Sequence, residues 1–129
     1  MVGESLSKNM IAMGDAVLRR LDRSGFRVPV ALWLYKSGPV GWHFVIASAS
    51  VGRLGPLWAY RKIGAAIRSI ESSSEVFTVH NVTATTNTDP LIVTLRKAQT
   101  TGPRMDGVRL TQQAVNGHFI EDAYIYRVQ

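Results

Sequence analysis

Three features of the sequence predict one α+β domain over residues 1–129, in the order α-β-β-α-β-α-β-β, with packed helices on a largely antiparallel sheet. The first is a pair of apolar runs, residues 28–36 and 42–50, joined by Ser37-Gly38-Pro39-Val40-Gly41. The second is Asn116-Gly117 between two extended runs, a strong marker of a two-residue hairpin because both turn positions need positive φ. The third is apolar recurrence at three- and four-residue steps on either side of the first hairpin, the period of a helix face turned to a core.

The opening helix is expected over residues 5–23. Leu6, Met10, Met13, Val17 and Leu21 form its buried stripe, with Leu18 beside them. Gly14 sits mid-helix at a cost of about 1 kcal/mol relative to Ala, which close packing would offset. Arg19, Arg20 and Arg23 suit the negative end of the helix. Ser24-Gly25 is the stop, with Gly25 as a left-handed cap.

The hairpin that follows holds Trp33 and Trp42. If Lys36 faces Trp42, one face carries Val30, Leu32, Leu34, Phe44 and Ile46. The other carries Ala31, Trp33, Tyr35, His43, Val45 and Ala47. A sheet apolar on both faces is covered on both, by helices or by another chain, and a homodimer is expected on that ground. The aromatic face, flanked by Arg27 and Lys36, has two readings. It stacks bases, as single-strand binders do, or it lies beneath a helix or second subunit.

Residues 52–55 read as a link and 56–72 as a helix, opened by Pro56, whose missing N–H needs no partner there. Leu57, Tyr60, Ile63, Ile67 and Ile70 make its stripe, and Arg61, Lys62 and Arg68 fall off it. A third strand is expected over 76–83 and a loop over 85–88. A short helix then runs to about residue 98, capped by Thr88 or Asp89 and anchored by Leu91, Ile92 and Leu95. Two Gly and a Pro in residues 100–107 indicate a loop.

In the last hairpin, pairing Val115 with His118 fixes the register. Val108–Ile125, Leu110–Ala123 and Ala114–Phe119 then form a core face. Arg109–Tyr124, Thr111–Asp122 and Gln113–Ile120 form the opposite face, with His118 at the tip. Glu121 is expected on the core face across from Gln112, as a buried register pin.

Composition bounds the function. There is no Cys, which excludes disulfides, thiolate metal sites and a Cys nucleophile and suits a reducing cytoplasm. No segment approaches the roughly 18 apolar residues of a membrane span, and the N-terminus lacks the basic flank and apolar core of a secretory signal. A cytoplasmic protein with no membrane partner is expected. Residues 1–68 hold ten Lys/Arg against three acids, and residues 69–129 hold five against six. A basic half suits a polyanion, nucleic acid above all, or serves only as a solvated surface. Arg19, Arg20, Arg23, Arg61 and Lys62 are its candidate contacts.

Candidate chemistry gathers on the polar face of the last hairpin. Arg109, Asp122 and Tyr124 could hold a phosphate, a sugar or a metal-bound water, or form an ordinary cross-strand ladder. Asp122, His118 and Tyr124 are the candidate catalytic residues. A nuclease of the restriction type wants an acid-x-Lys pair beside a further carboxylate, and the chain contains no acid-x-Lys tripeptide. There is no Gly-x-Ser-x-Gly elbow, and residues 52–55 lack the Lys-Ser/Thr of a phosphate loop. His43, His80 and His118 lack ligand spacing, so no metal or cofactor is expected.

Ala31-Leu32-Trp33-Leu34-Tyr35, Gly55-Pro56 with Ala59-Tyr60-Arg61-Lys62-Ile63, Asp89-Pro90-Leu91-Ile92, and Val115-Asn116-Gly117 through Ile120-Glu121-Asp122-Ala123-Tyr124-Ile125-Tyr126 together resemble an uncharacterised family of small bacterial proteins. The resemblance runs from about Phe26 to the C-terminus. It implies a bacterial, stand-alone domain and carries over no functional residue. The expected function is a non-enzymatic binding or accessory protein whose basic half contacts a polyanion. The alternatives are a small hydrolase or nuclease using the polar face of the last hairpin, and a structural protein acting through oligomer contacts.

Overall fold

Residues too apolar for an edge position hold the centre of the sheet. In the computed structural model, which describes residues 5–71, 73–78, 80–98 and 107–129, β1 (Val30–Tyr35) is flanked by β2 (Trp42–Ala47) and β5 (His118–Val128). Outside these lie β3 (Val82–Thr85) and β4 (Val108–Val115), giving the order β3-β2-β1-β5-β4. Every pairing is antiparallel except that of β2 with β3. The helices are α1 (Lys8–Arg23), α2 (Ala49–Leu54), α3 (Pro56–Arg68) and α4 (Pro90–Ala98). This is the expected α+β class, with one more helix among the described residues than the sequence suggested.

Two buried clusters hold it together. On one face Val17, Leu18 and Leu21 of α1 and Ala59, Ile63 and Ala66 of α3 meet Ala31, Trp33, Phe44 and Ile46. On the other, Ile92 and Leu95 of α4 meet Val30, Leu32, Leu34, Val45 and Ile125. Both faces of the first hairpin are thus buried within one chain, and the uncovered face that motivated a second copy is absent.

The first hairpin corrects the expected register. Tyr35, not Lys36, faces Trp42, and Lys36 N–H donates to the Gly41 carbonyl at 2.9 Å. The one-residue slip exchanges the faces of β2: Trp42, Phe44 and Ile46 turn to the α1–α3 side, Val45 and Ala47 to the α4 side. Because the strand is apolar on both faces, its hydrophobic pattern does not discriminate between the two registers.

Residues 49–54, expected as a strand end and a link, form α2. Ser48 decides this: its hydroxyl accepts from Ser50 N–H at 3.2 Å and donates to the Arg27 carbonyl at 2.6 Å. The third strand begins at Val82 rather than 76. Val76 and Phe77 are buried all the same, carried inward by the 3-10 turn Ser73–Glu75. There the Ser73 hydroxyl donates to the Ile67 carbonyl at 2.7 Å. The loop expected over 100–107 lies, Gly107 apart, outside the described residues.

The last hairpin keeps the expected register, with Val115 facing His118 and φ of 45° and 88° at Asn116 and Gly117. Its faces do not hold to the tip. Gln112 has φ 49° and leaves the ladder between Thr111 and Gln113, which breaks the two-residue alternation. Ile120 therefore joins Leu110 and Ala123 in the core at 2% exposure, and Phe119, expected inside, is 63% exposed.

A second irregularity positions side chains against α1. The β1–β5 register shifts between Ala31, which faces Arg127, and Leu32, which faces Ile125. Tyr126 is the extra residue, and both Tyr126 and Arg127 reach α1. The Tyr126 hydroxyl donates to the Ile11 carbonyl at 2.6 Å, and Arg127 binds the Asp22 carboxylate at 2.8 Å.

Candidate functional site

Helices α1 and α3 touch on the same face of the sheet, so their outer sides make one layer. On α1 the buried residues are Gly14, Val17, Leu18 and Leu21. At 100° per residue Arg19, Arg20 and Arg23 project from the opposite side, where all three are exposed. On α3 the core takes Ala59, Ile63 and Ala66, and Arg61 and Arg68 are exposed opposite them. Lys62 lies at the flank, its ammonium 6.0 Å from the Trp58 ring.

The acids of this layer are already engaged. Asp15 pairs with Arg19 at 3.2 Å, and Asp22 with Arg127 at 2.8 Å. Among the described residues Arg20, Arg23, Arg61 and Arg68 have no carboxylate partner. The expected cations Arg19, Arg20, Arg23, Arg61 and Lys62 are thus all exposed on two helices that touch, with the Arg19 charge partly neutralised by Asp15.

The residues expected on the last hairpin separate. Arg109 clasps Asp122 with two hydrogen bonds of 2.6 Å, and its guanidinium stands 5.8 Å from the Trp42 ring. The bonds to Asp122 and its charge raise the Arg109 pKa, against a drag from burial. His118 is not in this group: its Nδ1 lies 3.1 Å from the Thr94 hydroxyl of α4, on the other face. The inverted alternation at the tip is the reason. Glu121 is no buried partner of Gln112 either. Half-buried, it accepts from the Ser37 hydroxyl at 2.6 Å, tying the hairpin to the β1–β2 loop.

Tyr124, directly across the ladder from Arg109, reaches α1. It lines a groove of about 350 Å³ with Lys8, Ile11, Asp15, Arg19 and Tyr126. The groove thus joins Tyr124 to Arg19, two candidates drawn from different halves of the chain. Its lip is Gly107, at φ 70°, where a side chain would collide with the Tyr124 hydroxyl.

The aromatic face is closed to bases. Trp33 and Trp42 are buried beneath the helix layer, and the Trp33 indole donates to the Tyr126 hydroxyl and the Met10 carbonyl, both at 3.1 Å. Among the described residues no three His, Asp or Glu gather in a group that could hold a metal. No helix among them is long and apolar enough to cross a membrane.

One feature escaped sequence reasoning: a cavity of about 610 Å³ between α3 and β3. Tyr60, placed on the core stripe by its spacing, stands at the cavity rim, and its hydroxyl accepts from the Ala84 N–H of β3 at 3.0 Å.

No family model, curated protein or solved structure matches the chain. The site defines a class by its own geometry: a mixed-sheet α+β domain that presents a two-helix cationic layer.

Proposed function

We propose that this is a binding or accessory protein of the cytoplasm whose α1–α3 layer contacts a polyanion, nucleic acid first. One observation carries the reading: two helices distant in sequence touch with their cations exposed, while the acids of α1 are held by Arg19 and Arg127. Such a surface attracts a phosphate backbone through charge and counterion release, without reading sequence. The Arg109–Asp122 pair serves stability in this account, because both Asp122 oxygens are engaged by one guanidinium. A fluorescein-labelled oligonucleotide titrated with the protein at low ionic strength tests the reading. Rising anisotropy is expected, and a flat titration would end the proposal.

A further inference from the structure

The cavity between α3 and β3 has a different chemistry from the cationic layer. Its depth is apolar, formed by Ile63, Ile67, Phe77 and Val82, while Arg68 and Thr78 supply polar groups. Its volume, about 610 Å³, falls in the range of small-molecule sites, which pair mostly apolar walls with a few placed polar groups. Arg68 has no carboxylate partner among the described residues. Its guanidinium folds back along α3 over Gly64, where an added Cβ would sit 3.1 Å from Nη1. The absence of a side chain at Gly64 therefore leaves room for the cation beside the apolar wall.

We propose that this cavity binds an amphipathic carboxylate of the fatty-acid class, its chain against Ile63, Phe77 and Val82 and its carboxylate on Arg68. Charge complementarity selects this occupant. A phosphate backbone gains nothing from apolar walls, and a neutral hydrocarbon leaves the guanidinium unmatched. The chain gains by apolar burial and the head by charge-assisted hydrogen bonds. Arg68 is also one of the exposed cations of α3, but the polyanion test alters Arg20, Arg23 and Arg61 and leaves it in place, so the two readings fail separately.

Calorimetry of the 129-residue chain with dodecanoate below its micelle concentration, and with dodecanol as the neutral control, tests it. One dodecanoate site is expected. Arg68→Gln should weaken dodecanoate about tenfold, the scale of one lost charge-assisted bond, and leave dodecanol unchanged. Ile67→Trp should fill the cavity and abolish both. Arg68 is exposed, so its substitution keeps the test open even if Ile67→Trp fails to fold. Absence of dodecanoate binding to the wild type, or equal affinity for wild type and Arg68→Gln, would overturn the proposal.

Discussion

The Tyr126 hydroxyl lies where a side chain on Gly14 would begin. The β-bulge that adds Tyr126 to its strand aims the phenol at α1, and Gly14 lets the helix close over it. Gly14→Ala gains about 1 kcal/mol of helix propensity, but its methyl overlaps the Tyr126 hydroxyl and the Phe44 ring, an overpacking that costs about 1–3 kcal/mol. A net loss of stability is expected in urea unfolding. A variant more stable than wild type would refute the contact.

Tyr126 also predicts alkaline behaviour. Burial raises its pKa above the ordinary phenol value of 10.0, against a smaller opposing effect of the Trp33 hydrogen bond. Below that value both states carry the proton and stability is full. Above it the unfolded chain ionises first, so stability falls as pH rises. Tyr126→Phe should lose about 1–3 kcal/mol at neutral pH, since the hydroxyl both donates to the Ile11 carbonyl and accepts from the Trp33 indole, and flatten the alkaline decline. Parallel alkaline slopes in the two proteins would assign the decline elsewhere.

On the acid side the group is His43. Burial first, and the Lys36 charge second, lower its pKa from 6.5. The folded state thus resists protonation while the unfolded chain accepts a proton. Stability is full above 6.5 and is lost as pH falls toward the folded value. His43→Gln should remove that part of the slope, read from denaturant midpoints across the window. An unchanged slope would show that His43 does not carry it.

Asp122 and Glu121 trade the roles that the sequence suggested. Arg109 and Asp122 are 44% and 25% exposed, so Asp122→Ala should cost about 1 kcal/mol, the scale of a well-aligned, partly solvated pair. Glu121→Ala removes one hydrogen bond at the surface and should cost less, about 0.5 kcal/mol. Thermal unfolding of both variants checks the order. A larger loss from Glu121→Ala would restore it to the core.

What was legible in the chain follows from how unambiguous each local signal is. Asn116-Gly117 set the last hairpin and its register because few other pairs tolerate positive φ twice in succession. The stripe of α1, the Gly25 stop and the role of Gly14 could be read because helical spacing singles out one face. The first hairpin slipped by one residue because it is apolar on both faces. The tip of the last hairpin inverted because nothing marks Gln112 as a residue that adopts positive φ. Ser48 looked like part of a strand, since a cap is recognised only once the helix behind it is seen. The cationic layer was visible as composition, but its convergence needed the packing of α1 on α3. The α3–β3 cavity carried no sequence signal, because Ile63 and Ile67 read equally well as core.

We propose above that the α1–α3 layer binds a polyanion. The most direct test is the affinity of a labelled oligonucleotide for the wild type and for Arg20→Glu/Arg23→Glu/Arg61→Glu, each measured across a salt series. These side chains are exposed and lie off the buried stripes, so the fold should survive, and circular dichroism verifies it. Wild-type affinity should fall steeply with salt, and the variant should bind more weakly with a shallower slope, since fewer counterions are released. Equal affinities and slopes in the two proteins would contradict the proposal.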